Sequence, residues 1–369
     1  MNQKELGEIR RRIRPDHNNI QHLYGCYVNT NREIISSFEE SMGLLSESEA
    51  ELYLNLLKKT LSGALGKNLL DISFDSRQVM DSEEHRLLTA LRKSKLEDES
   101  LREAFYHCII DNIDPGEDNY LILLACDTYD VPSRKDRDNS EEIYQYLLCC
   151  ICPVKAGKQA LGYTAEEKRF HSALKGQLVC PPETGFLFPA FDDRATNIYN
   201  ALLYSKNIND DHRAFIDAVF RTPVPMPAGQ QKESFEELLS DAMDNKCSFD
   251  VVQAVHEQLS ERIALYKESK DPEPMTLSPD EMADIFENSG ADEKQTEALR
   301  KSCEETFPQL SPANLTNANQ MKIETPEVKI IVDPKFSYLV QAEVINGKKY
   351  IRISADSGVE INGTPVEIR

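Results

Sequence analysis

The chain has no tryptophan, no apolar h-region behind Met1-Asn2-Gln3-Lys4-Glu5, and no apolar run near the roughly 20 residues that span a bilayer. The missing tryptophan carries no functional reading. The other two absences speak against a secretory leader and a membrane-spanning helix. The phosphate-cradling patterns Gly-x-x-x-x-Gly-Lys and Gly-x-Gly-x-x-Gly are missing too, as are His-x-x-x-His and His-Glu-x-x-His. Basic residues are in deficit: 42 Lys and Arg stand against 63 Asp and Glu, a net charge of −21. A phosphate backbone rewards cations, so such a surface does not coat nucleic acid or an anionic membrane. Partners among proteins or cations fit the charge better.

Nine cysteines are present, an odd number. Cys149, Cys150 and Cys152 crowd one apolar run, which is not the pattern of a disulfide framework. A reducing cytoplasm is the expected compartment. The Cys149-x-x-Cys152 spacing also suits a metal, but a zinc site needs about four ligands, and the next cysteine is the isolated Cys180, with His171 nearby but unpaired. Alternation along a strand would put Cys150 and Cys152 on one side and Cys149 on the other, as core packing does.

With 369 residues, 40% hydrophobic and 28% charged, the chain is globular and long enough for two or three domains. The stretch that organises it runs from Asn119 to Phe191. Tyr120–Cys126, Tyr144–Val154 and Phe186–Phe191 are short, nearly continuous apolar runs that read as buried strands of one sheet. Ahead of them, Asn2 with Glu5 caps a helix to about Ile13, and Ile20–Val28 and Glu33–Phe38 read as two strands. Ser46 with Glu49 opens a second helix, and Asn68–Val79 is a looser segment. Helices are expected at about Ser82–Lys93, with a capping box from Ser82, and at Asp98–Ile110. Ser133–Ser140 is a mixed-charge hairpin tip, and Ile198–Tyr204 is a further apolar segment.

Three alternating prolines in Thr222–Gly229 mark an extended linker, taken as residues 222–231. The core domain is thus 1–221. An acidic helical region, 232–315, follows; from Lys232 to Ser311 it carries 20 Asp and Glu against 8 Lys and Arg. Its four-helix pattern is interrupted at Lys270–Pro274 and resumes with Ser278-Pro279-Asp280-Glu281, a cap and an acidic first turn. Residues 327–369 read as a small antiparallel β meander with turns at Asn346-Gly347 and Asn362-Gly363, and its charges balance, six of each sign. The fold class is α+β: an antiparallel-rich sheet with flanking helices, then an acidic helical unit and a C-terminal meander that docks on the rest or pairs with another chain.

Two sets of residues are site candidates. Asp192, Asp193 and Arg194, with Asn197 beyond, follow an apolar strand directly. The carboxylates suit a divalent cation or a polar substrate, and the competing account is a capped, salt-bridged turn. Arg10, Arg11, Arg12 and Arg14 make the end of the first helix basic. That suits a nucleic-acid contact, or simply the negative end of the helix dipole. No cofactor is indicated, and no catalytic residue stands out.

The segments Gly7–Arg12, Gly25–Asn29, Lys59–Gly63, Gly185–Arg194 and Lys267–Pro274 together resemble a bacterial family of low-GC Gram-positive anaerobes, domain of unknown function 4317. The likeness spans the chain and implies a cytosolic bacterial protein, with no activity or ligand to carry over. A fainter likeness, in chain length, an α/β start and a β-rich end, is to bacterial nucleoid-associated proteins; the net charge opposes it. The leading expectation is a non-enzymatic interaction or regulatory protein with protein partners or self-association. The alternatives are a metal-assisted hydrolase or nuclease using the Asp-Asp-Arg loop, and a nucleic-acid-binding protein.

Overall fold

The computed structural model describes residues 1–113, 116–132, 140–157, 160–164, 168–173, 176–243, 248–269, 273, 275–307, 310–316, 320–356, 358–361 and 363–367. Residues 133–139 of the expected hairpin tip, most of the break at 270–274 and Asn362 of the last turn lie outside these residues, and Ser140 begins a strand.

Helix α1 (Gln3–Arg12) opens the chain, followed by β1 (His22–Val28), β2 (Ile34–Ser41), α2 (Glu47–Lys59), β3 (Leu69–Ser73), α3 (Ser76–Asp81), α4 (Glu83–Lys93) and α5 (Glu99–Asn112). The long strands β4 (Asn119–Pro132) and β5 (Ser140–Ala156) come next, then β6 (Ala160–Thr164), β7 (Arg169–Ala173), β8 (Gln177–Val179), β9 (Thr184–Phe188), β10 (Ala190–Asp192), β11 (Ala195–Asn197), β12 (Asn200–Ser205) and α6 (Arg213–Phe220). Asn2–Glu5 and Ser46–Glu49 form the expected capping boxes. Ser82 caps α4 by accepting from the His85 N–H, but the reciprocal half of a box is missing, because the third helical position is a histidine. The segment expected to be loose holds β3 and α3, whose short apolar pattern is too brief to show a period.

The main sheet runs β2-β1-β4-β5-β9-β12-β3, every pair antiparallel, with β8 also on β5. Its central strands read as unbroken apolar runs because both faces are covered. Tyr120, Ile122, Leu124, Leu147, Cys149 and Ile151 join Leu88, Leu91, Phe105, Ile109, Ile216 and Phe220 of α4, α5 and α6 in one core. Leu121, Leu123, Ala125, Tyr146, Leu148, Cys150 and Cys152 join Leu6, Ile9, Leu54 and Leu57 of α1 and α2 in the other. Alternation therefore separates the cysteines as expected, with Cys150 and Cys152 sulfurs 3.7 Å apart.

The chain divides into two compact units, 1–227 with 272–274, and 228–271 with 275–369. In the second unit, α7 (Ala228–Ala242), α8 (Phe249–Ser269), α9 (Pro279–Asn288), α10 (Glu293–Thr306) and the short α11 (Pro312–Leu315) bury Phe235, Leu239, Val255, Leu259, Ile263, Ile285, Phe286 and Leu299. The Ser278–Glu281 box caps α9 as expected. Beyond them come β13 (Met321–Glu324), β14 (Lys329–Val332), a 3-10 turn at Pro334–Leu339, β15 (Val340–Ile345), β16 (Lys348–Ile353), β17 (Val359–Ile361) and β18 (Thr364–Val366). These strands form three separate two-stranded ribbons, β13-β14, β15-β16 and β17-β18. Asn346 and Gly347 both have positive φ, 50° and 78°, as the two-residue turn requires.

Candidate functional site: the polar seam under helix α1

Helix α1 lies on the sheet through Leu6, Ile9 and Ile13, all buried. Its polar residues do not all reach solvent. Asp127, at the apolar end of β4, is 1% exposed. Four donors converge on it: the Tyr146 hydroxyl at 2.6 Å, the Asn19 N–H at 2.8 Å, its neighbour Thr128 N–H at 2.9 Å and Arg12 Nη2 at 3.4 Å. A buried carboxylate is tolerable only when satisfied in this way. The Arg12 guanidinium also lies over the Tyr129 ring, 4.3 Å from its centroid, and donates to the Thr128 carbonyl.

Tyr129 carries the seam onward. Its hydroxyl donates to Glu8 Oε1 at 2.6 Å, and Arg194 donates to the same oxygen at 3.0 Å. Burial alone would raise the Glu8 carboxyl, but these hydrogen bonds outweigh it and hold Glu8 below its ordinary range. Burial and the Glu8 carboxylate together push the Tyr129 hydroxyl up to about 12. Glu5, one turn earlier, is raised by burial.

The Asp192–Asn197 candidates form a hairpin. Ala190 pairs with Asn197 and Asp192 with Ala195, leaving Asp193 and Arg194 as the two turn residues at φ 46° and 60°. That is the backbone of a type I′ turn without its usual Asn-Gly signature. Arg194 turns to Glu8, and Asp192 sits 3.6 Å from the amino group of Met1 and 3.4 Å from Asn197 Nδ2. Asn197 also donates to Asn200 Oδ1 at 3.2 Å, and the Thr196 N–H donates to Glu142 at 2.7 Å. The structure thus ties Asp192 and Arg194 to the N-terminal segment rather than to one shared opening. Among the described residues no group of three or more His, Cys, Asp or Glu is placed to hold a metal ion.

The four arginines separate. Arg12 is committed to Asp127 and Tyr129, Arg14 Nε donates to the Arg11 carbonyl, and Arg10 is half-buried, so only Arg11 and Arg14 are exposed. The members of the seam that composition and spacing missed are Glu8, Asp127, Tyr129 and Tyr146. One signal was available: an aspartate that closes the apolar run Tyr120–Cys126 must find donors or a cation.

Among the described residues the same unit bounds a small cavity beside Asn19 and Cys126, about 130 Å³, and two larger ones. One, of about 380 Å³, is bounded by Tyr120, Glu183, Asp210, His212 and Phe215. Three of its four carboxylates face cations, Asp118 to Lys155 at 2.9 Å, Glu183 to Lys206 at 4.0 Å and Asp211 to Arg213 at 3.6 Å, and Asp210 lies 3.6 Å from His212 Nδ1. Beside it the Ser205 hydroxyl donates to the Asn207 carbonyl at 2.6 Å and lies 2.9 Å from His212 Nε2. Ser205 is buried, so this pair closes a loop and presents no open nucleophile. The other cavity, about 730 Å³, is an apolar groove between β2, α2 and β8 walled by Tyr27, Phe38, Tyr53, Leu56 and Leu178.

Residues 1–364 match the family described as Domain of unknown function (DUF4317). The chain belongs to that family. The match extends over both compact units. Comparison with curated proteins and with solved structures gives no match.

Proposed function

We propose that this chain is a non-enzymatic interaction or regulatory protein of the bacterial cytosol, and that its C-terminal ribbons meet protein partners. The observation that carries the reading is the state of β15 and β16. Val344 is 69% exposed and Ile353 54%, on the face that also holds Ala342, Ile351 and Lys349 and, at its covered end, the buried Val340. Ile331, Phe336, Tyr338 and Ile361 are exposed nearby in sequence. A lone two-stranded ribbon is marginal in water, and apolar side chains left outward mark a surface that another molecule covers. The Asp192–Asn197 hairpin and Arg12 are engaged in seating α1, so the reading does not route through them.

The test is affinity capture with the whole chain and with Val344→Lys/Ile353→Lys, both checked for unchanged circular dichroism. Specific partners retained by the native chain and lost by the variant support the reading. Identical capture by both, or turnover of a small molecule by the purified chain, sinks it.

A further inference from the structure

We infer that the outer edge of β15 pairs antiparallel with the same edge of a second copy of this chain, with Ala342 opposite Ala342. This deepens the reading above and rests on it. The two edges of the β15-β16 ribbon differ. Strand β16 carries Lys348, Lys349 and Arg352, and charges of one sign, lysine above all, are how proteins keep a strand edge from pairing. Strand β15 reads Val340-Gln341-Ala342-Glu343-Val344-Ile345, with no proline, no bulge and one charge. That charge is already neutralised, Arg352 donating to Glu343 at 2.7 Å. Among the described residues β15 has no strand partner but β16.

The sequence of this edge is self-complementary. With Ala342 on the two-fold axis, Val340 faces Val344 and Gln341 faces Glu343, so no like charges oppose; the Val340 N–H already donates to the Ser337 carbonyl, so the N–H groups of Ala342 and Val344 make the pairing. Because opposite residues of an antiparallel pair share a face, the sides carrying Val344, Ile351 and Ile353, with Lys349 among them, fall together on one side of a four-stranded sheet. Three or more strands with an apolar face is the size at which a sheet holds its own structure. Charge permits a second copy at this place. Two chains of −21 repel over most of their surface, but residues 327–369 hold six cations and six anions and so approach without that cost. One six-residue edge buries less than the roughly 1,200 Å² of a standard interface, so the association is weak and reversible.

The test is register-specific cross-linking of the full chain. Ala342→Cys places the two thiols across one antiparallel pair, where Cα atoms are about 4.5–5.5 Å apart and a disulfide forms. Mild oxidation should give a covalent dimer of Ala342→Cys, and none of Lys349→Cys or of the native chain. Sedimentation of the native chain should show average mass rising reversibly with concentration. Equal cross-linking at positions 342 and 349 overturns the register. A monomer at every concentration with no 342 cross-link overturns the inference altogether, and leaves the capture result to decide whether a different protein covers the ribbons.

Discussion

Replacing Asp127 by asparagine is the sharpest probe of the seam under α1. The side chain is 1% exposed and accepts from Tyr146, Asn19, Thr128 and Arg12. Asparagine keeps the shape but removes the charge and turns one acceptor into a donor, which then meets a donor. Arg12, with 16% of its side chain exposed, is left beside a neutral group. Breaking a buried charge pair costs about 3–5 kcal/mol, and partial solvent access to Arg12 places the loss near the lower end, about 3 kcal/mol. For a unit of this size each kcal/mol moves the midpoint by about 2–4 °C, so the transition of the first unit should fall by roughly 6–12 °C. The assay is thermal unfolding followed by circular dichroism, with the exposed Asp130→Asn as control, expected within about 0.5 kcal/mol of the native chain. Asp127→Asn/Arg12→Met should recover part of the loss, because removing both partners is gentler than stranding one. An Asp127→Asn midpoint within about 1 °C of the native value would refute the reasoning.

Other perturbations have equally definite outcomes. A methyl group at Gly185 would collide with the Cys149 carbonyl and sit 2.7 Å from Thr60 Cγ2, so Gly185→Ala should cost about 3 kcal/mol, and a neutral result would show the β5-β9 contact to be looser than described. His85 is buried, with Nε2 2.9 Å from the Ile198 carbonyl, and burial lowers its folded pKa. The unfolded chain then binds the proton that folded His85 refuses, so stability is full above about pH 6.5 and declines as pH falls below it. His85→Gln should flatten part of that decline in denaturant melts, whereas unchanged slopes would place the acid sensitivity elsewhere. Saturating Mg²⁺, Mn²⁺ or Zn²⁺ should leave the melting midpoint unmoved, since Asp192 faces the amino group of Met1 and Arg194 faces Glu8; a rise of several degrees would favour the metal-assisted reading instead.

Much of the fold was legible in the residues, for identifiable reasons. The strands around Ile122, Cys150 and Phe186 announce themselves because a sheet covered on both faces needs apolar residues at every position. The caps at Asn2, Ser46 and Ser278 are local, three residues from cue to partner, and sequence shows local chemistry best. The seam was hidden because its partners lie far apart along the chain: Arg12 reaches Asp127, and Arg194 reaches Glu8. The hairpin at Asp193-Arg194 was hidden for a different reason, since neither residue is one that a type I′ turn normally selects. Read alone, Asp192-Asp193-Arg194 was a cluster of charges; which of them faces which is set by the docking of α1. The last strands were visible by alternation, but nothing in their pattern said that they would stand as separate ribbons rather than one meander.

The central claim is that the C-terminal ribbons are completed by another chain. Amide hydrogen exchange of residues 340–353 in the isolated protein at high dilution tests it most directly. The account predicts exchange far faster than that of β4 and β5, with protection appearing once the ribbon is covered. Protection equal to the main sheet in the dilute monomer would mean that the ribbons are self-sufficient, and would contradict it.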